Sequence, residues 1–247
     1  MTGPVNAVVI GASGAIGLAL TRALCARAEG GRVFALSRRP RPADEPRAQW
    51  IRADATDTDG LAKAAAEVAE HAPSIHRLIC CTGMLHDDDA VPPIAPEKAL
   101  EQLDADAFRR VMTVNALAPL LALTAFRPLL EHDQGSVAGL LSAMVGSIAD
   151  NRLGGWYSYR MSKAALNMGV KTAAIELERR ARRGRRAPIV AAVHPGTTHT
   201  PLSERFLRSR DARPAAASAQ RILEVLDGLT AADSGGFFNW DGQPLPW

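Results

Sequence analysis

Short runs of consecutive apolar residues alternate along the chain with stretches in which apolar residues recur every three or four positions. Val5–Ile10, Arg32–Leu36, Trp50–Ala53, Arg77–Cys81, Ser136–Leu141, Ile189–Val193 and Gly236–Asn239 have the first character, that of strands covered on both faces. Gly14–Ala28, Leu61–His71, Tyr157–Arg180 and Ala215–Leu229 have the second and read as helices. Asp104 is placed to cap a further long helix through Leu130, with Pro119 and Pro128 as its kinks or ends. This alternation predicts an α/β fold: a doubly wound parallel sheet of about seven strands with helices on both faces. The elements consume the whole length, so residues 1–247 are expected to form a single domain. Ser37–Gln49 and Met84–Pro96 are the longest irregular stretches.

Composition narrows the class. With 47% hydrophobic residues in 247, the chain can bury a sizeable core. No apolar run approaches the roughly 18–20 residues that span a bilayer, so no membrane partner is expected. The start, MTGPVNAVVIGASG, has no basic leader region, and a cytoplasmic location is expected. The net charge of +3 comes from arginine, since lysine occurs only at 63, 98, 163 and 171. The densest basic cluster, Arg179–Pro188, suits the C-terminal dipole of a helix followed by a turn at Gly184. No nucleic-acid motif accompanies it, and no nucleic-acid partner is expected. Three cysteines without metal-ligand spacing predict reduced thiols and no metal.

The chemistry gathers at strand ends, where open parallel sheets bind ligands. GASGAIG follows the first strand and opens the first helix; Gly11, Ser13, Gly14, Ile16 and Gly17 are the expected contacts. Glycines there permit a tight turn and close approach of a pyrophosphate to a helix N-terminus. At the end of the second strand Ser37, Arg38 and Arg39 stand where an NAD site carries an acidic residue. A guanidinium beside a hydroxyl suits a 2′-phosphate, so NADP(H) is favoured over NAD(H). Asp54, followed by Ala55, is placed to meet the adenine amino group.

Tyr159 and Lys163 in WYSYRMSKAALN lie four apart, on one face of a helix. A phenol with its ordinary pKa near 10 is a weak base at neutral pH. An ammonium nearby favours the phenolate and lowers that pKa, so the pair can exchange a proton with a carbonyl or an alcohol.

These segments, in this order, resemble those of the short-chain dehydrogenase/reductase family over essentially the whole chain. GASGAIG, Asp54, Thr82–Gly83, VNALAP around Asn115, the strand end at Ser142, YSYRMSK and HPGTTHT (His194–Thr200) carry the resemblance. LSAMVGSIADNRLGGWYSYRMSKAALN and the C-terminal SGGFFNWDGQPLPW are further similar to the C-factor-like and sniffer-like carbonyl reductases. The resemblance implies a Rossmann-type fold, an NADP(H)-dependent reaction on a small carbonyl or alcohol, and a homodimer or homotetramer. It implies Tyr159 as general acid/base and Lys163 as the residue that lowers its pKa and holds the nicotinamide ribose. Asn115 would hold a water in the proton relay by shaping the long helix before it. Thr82 and Gly83 would border the cofactor, Pro195, Gly196 and Thr198 would frame its carboxamide, and Thr200 would lie near the pyrophosphate.

The chain departs from the family pattern in three places. The glycine turn reads GxxGxxG where GxxxGxG is usual. Cys80 and Cys81 replace two asparagines and read as small buried hydrophobes. The serine that orients the carbonyl oxygen would align with Ala143; Ser142, one position earlier, is taken for that role in preference to Ser147. Strand alternation sends 142 and 143 to opposite faces, so only one can face the nicotinamide. The competing reading is an NADP-binding regulatory or signalling protein with little turnover. A sugar-nucleotide epimerase would need a substrate domain that the residues after HPG are too few to build. The substrate pocket is expected from Leu85–Val91, Leu153–Trp156 and Leu202–Arg210.

Overall fold

A computed structural model describes residues 5–27, 30–45, 47–181, 186–207 and 212–247. Seven strands form one parallel sheet: β1 (Ala7–Ile10), β2 (Val33–Ser37), β3 (Gln49–Arg52), β4 (Arg77–Cys80), β5 (Val137–Leu141), β6 (Ile189–Val193) and β7 (Phe237–Phe238). Their order is β3-β2-β1-β4-β5-β6-β7. The chain leaves β1 in one direction and returns at β4 in the other, so a crevice opens between the carboxyl ends of these two strands. β1 and β4 pair directly, Ile10 opposite Cys80.

Side chains alternate between two apolar layers. Val8, Ile10, Leu78, Cys80, Ala138 and Leu140 face the layer under α2 (Thr58–His71), α4 (Ala118–Leu130) and α5 (Tyr157–Arg180). Ala7, Val9, Ile79, Val137 and Leu141 face α1 (Ala15–Arg27) and α6 (Ala215–Gly228). The second layer admits α6 closely because β5 carries Gly139, where a Cβ would stand 2.7 Å from a methyl of Leu226. The expected α/β architecture is the one observed.

Two helices differ from expectation. α2 starts at Thr58 because the Asp57 carboxylate takes the Asp59 amide, a cap that precedes the apolar pattern. The long helix starts as expected, with Asp104 accepting from the amides of Asp106 and Ala107. It then runs as α3 (Ala105–Met112), one π turn (Thr113–Leu117) and α4, without ending at either proline. Pro119 has no N–H to give the carbonyl four residues earlier, and the irregular turn falls there, at Asn115. The run Ala105–Leu130 is by length and composition apolar enough to cross a membrane, which corrects the sequence expectation. Half of its most apolar stretch is buried, and Ala118, Ala122, Phe126 and Leu130 belong to the core. Of the basic cluster, Arg179 and Arg180 close α5 as expected, and residues 182–185 lie outside the described ones. So do residues 208–210 of the expected pocket.

Candidate active site

The crevice between β1 and β4 is built by glycine. Gly11 has φ +78°, and a Cβ there would press on the backbone of Cys81 and Thr82 at 3.2 Å. A Cβ on Gly17 would collide with the Gly11 carbonyl oxygen, so only glycine lets α1 start this close to β1. The amides of Ala15, Ile16 and Gly17 open that helix and have no intrahelical acceptor. Ser13, Gly14 and Ile16 line the same turn. Gly83 borders the open side: a Cβ there would meet only Lys163 Nζ at 3.8 Å and Asn115 Oδ1 at 3.9 Å. This cradle, with its free amides and its open side above a lysine, fits a dinucleotide.

At the adenosine end the Ser37 hydroxyl donates to Ser13 Oγ (2.7 Å) and accepts the Arg39 amide (3.0 Å), tying the two expected loops together. Arg38 is 74% exposed, with Nη1 3.9 Å from Asp54 Oδ2. Asp54 Oδ1 accepts the amide and hydroxyl of Thr56. Burial pushes its pKa up, but the Thr56 hydrogen bonds, with Arg38 and Arg110, outweigh this and hold the carboxyl below its ordinary value. Ala55 is buried beside it.

At the other end α5 carries Tyr159 and Lys163. Lys163 is buried, donates to the Leu141 carbonyl at 2.9 Å and lies 5.8 Å from the Tyr159 ring centroid. Gly146 permits this, since a Cβ there would stand 2.7 Å from Lys163 Cβ. Burial lowers the Lys163 pKa to about 8 and raises that of Tyr159 to about 12. Burial is the one cause of the Tyr159 shift, with no lowering by Lys163, so the expectation that Lys163 lowers the phenol's pKa is not met in this geometry. Tyr159 is therefore held as a neutral acid.

Asn115 sits in the π turn and is fully buried. Its Oδ1 accepts the Met84 amide (2.6 Å), and its Nδ2 donates to the Met84 carbonyl (2.8 Å) and to Ser162 Oγ (2.9 Å). Ser162 in turn donates to the Tyr159 carbonyl at 2.7 Å. Sequence reasoning missed Ser162; only its place three residues after Tyr159 could have flagged it.

The two serines considered for orienting a carbonyl both have partners within the protein. Ser142 is buried on the α5 side of the sheet, and its hydroxyl donates to Asn167 Oδ1 at 2.6 Å. Ser147 donates to the Trp247 carbonyl and accepts the Asp150 amide. Both hydroxyls are engaged within the protein: Ser142 satisfies the buried Asn167, and Ser147 ties its own loop to the C-terminal residue. Ala143, extended at φ −147°, continues to the opposite face.

After β6, Gly196 (φ +76°) brings its loop against Arg213, whose guanidinium stacks on Trp240 at 3.4 Å. The Thr198 hydroxyl is buried against Ser218 Oγ (2.7 Å), so only its backbone remains for a ligand. Thr200 forms a turn with Ser203, and Pro195 precedes the bend. His194, before it, is pushed down to about 4 by burial, then by Arg213 and Lys163, and is neutral. The Cys80 and Cys81 thiols are pushed up by burial; Cys80 meets Thr82 Oγ1 at 3.3 Å. Both behave as small hydrophobes.

Two of the segments expected to line the pocket are tied together. His86 Nε2 reaches the Pro201 carbonyl at 3.2 Å, and Asp88 pairs with Arg205 through both oxygens. Trp156 meets Phe206 edge to face at 5.2 Å and Tyr159 at 6.2 Å. Trp156 thus stands between Tyr159 and Phe206.

A family model described as short chain dehydrogenase matches residues 5–211. The chain belongs to the short-chain dehydrogenases, and its chemistry is that of an oxidoreductase. Among curated relatives, the 1-hydroxy-2-glutathionyl-2-methyl-3-butene dehydrogenase of Rhodococcus sp. is 30% identical over 78% of each chain. The C-signal of Myxococcus xanthus is 35% identical over 60% of this chain and 84% of that one. A carbonyl reductase from chicken fatty liver, solved with NADPH, is 28% identical and superimposes with a TM-score of 0.82 over 99% of this chain and all of that one. Within the family the chain lies on the carbonyl-reductase-like branch.

Proposed function

We propose that this chain is an NADP(H)-dependent reductase of aldehydes or ketones, able to run in reverse on the alcohol, with Tyr159 as general acid/base and Lys163 as its partner. The observation that carries this reading is one arrangement: the half-buried Tyr159 with the buried Lys163 beside it, and Asn115 and Ser162 locking the helix that bears both. The open side of the glycine cradle lies above that lysine. When bound, NADPH supplies the hydride. Tyr159, kept protonated by burial, gives its proton to the carbonyl oxygen. Lys163 Nζ has donors left after Leu141 to hold ribose hydroxyls beneath Gly83. Arg38 and Arg39 recognise the 2′-phosphate, with Ser37 fixing their loop, and Asp54 meets the adenine.

Neither Ser142 nor Ser147 offers a free hydroxyl, so the carbonyl oxygen is oriented by Tyr159 and by the shape of the cleft. Turnover is then slow on simple ketones and faster on activated aldehydes and diketones. NADPH absorbance followed with a panel of such compounds tests the reading; oxidation that depends on substrate supports it.

A regulatory NADP-binding protein is the second reading, favoured by the engaged serines and by the likeness to the C-signal. Tight NADPH binding with no turnover on any carbonyl would select it. The proposal includes a single domain in a cytoplasmic setting, supported by free Cys25, Cys80 and Cys81. It also includes self-association through α5, where Met161, Met168 and Ile175 stand exposed at seven-residue spacing.

A further inference from the structure

We propose that Glu97 is a positioning residue for this reaction, clamping the N-terminus of the helix that carries Tyr159. The inference rests on the reading of Tyr159 as the acid. α5 begins without a capping side chain of its own, since the residue before it is Trp156. The chain enters the helix through Gly154, Gly155 and Trp156, all left-handed at φ +62°, +65° and +52°. Glycine adopts this conformation freely; tryptophan does not, and must be held there.

Glu97 holds it. Its carbonyl oxygen accepts the Trp156 amide at 2.5 Å, fixing the strained residue. Its carboxylate accepts the Ser158 amide at 3.1 Å and the Ser158 hydroxyl. A carboxylate at this end also meets the positive end of the helix dipole. Glu97 is buried, though it comes from an irregular segment after β4, far from α5 in sequence. The segment that walls the cleft is thereby fastened to the helix one residue before Tyr159. Release of the clamp lets Trp156 relax and moves the phenol relative to the substrate, and small displacements of a reacting group are costly.

The test uses the full-length protein with NADPH and the aldehyde or diketone that it turns over fastest. Glu97→Ala is expected to lower kcat by about tenfold to a hundredfold, with the Kd for NADPH unchanged. Amide hydrogen exchange is expected to quicken at residues 156–159 and not at the far end of α5. Glu97→Gln keeps an acceptor for the Ser158 amide and is expected to restore both readouts. If Glu97→Ala does not fold, Ser158→Ala is expected to give a smaller loss of kcat with the same local exchange. Turnover of Glu97→Ala within about twofold of the parent, a loss with no change in exchange at the first turn, or a glutamine variant as defective as alanine would each overturn the inference. Tyr159→Phe is assayed alongside. If it keeps parental turnover, the acid assignment fails, and the exchange readout still decides whether Glu97 clamps the helix.

Discussion

Asn115 holds Met84 by both backbone groups, accepting its amide at 2.6 Å and donating to its carbonyl at 2.8 Å. A side-chain amide here does the work of a neighbouring strand. It joins the π turn of the long helix to the segment that leaves β4, and through Ser162 it reaches the turn of α5 that carries Tyr159.

Replacing Asn115 by Ala strands the Met84 amide and carbonyl inside the protein, at a cost of about 1–3 kcal/mol for each unsatisfied group. Asn115→Ala is expected to lower the melting temperature by several degrees and to reduce kcat more than it raises KM. Melting and steady-state kinetics at a temperature where the variant is folded check both. A stable variant with parental kcat would contradict the network's role.

Lys163 is buried with its pKa lowered to about 8, so it is charged below that pH and loses its proton as pH rises through it. Tyr159, at about 12, stays protonated throughout. The reduction rate is therefore expected to be flat from pH 6 to about 8 and to fall above. Lys163→Met removes a buried charge that has no carboxylate partner among the described residues. It is expected to abolish turnover yet raise the melting temperature at pH 7, by about 2–4 °C for each kcal/mol gained.

Ser37 ends β2 and Arg38 follows it, exposed, with Nη1 3.9 Å from Asp54 Oδ2. Arg38→Ala is expected to weaken NADPH about tenfold or more and NADH little. Titration of intrinsic fluorescence with each cofactor measures this. Equal losses would mean that the arginine does not read the 2′-phosphate.

Ser142 and Ala143 give opposite expectations. Ser142→Ala removes the hydroxyl held by Asn167 and should cost stability, about 1–3 kcal/mol, while leaving the chemical step nearly intact. Ala143→Ser places a donor at the family's usual register and should raise kcat, by about tenfold. Parallel melting and kinetic measurements separate the two; a large loss of kcat in Ser142→Ala would restore that serine to the site.

The fold was legible because buried parallel strands leave an unmistakable apolar signature, as in Val8–Ile10 and Val190–Val193. The glycine turn and the Tyr159–Lys163 pair were legible because both are local, set by spacing on a single turn or helix. Glu97 was not, because its partner lies 61 residues away and its segment has no periodic pattern. The partner of Ser142 was not legible either, because a hydroxyl at a strand end gives no sign of which neighbour it will satisfy, and Asn167 meets it from α5. The phenol's pKa also escaped prediction: spacing puts an ammonium nearby, but only the fold shows that burial raises it.

The most direct measurement of the central claim is single-turnover oxidation of enzyme-bound NADPH by a reactive aldehyde, with the parent protein and with Tyr159→Phe. Loss of the phenolic proton is expected to slow hydride transfer about 10²–10⁴-fold, with NADPH affinity unchanged. Transfer at the parental rate in Tyr159→Phe would contradict the account.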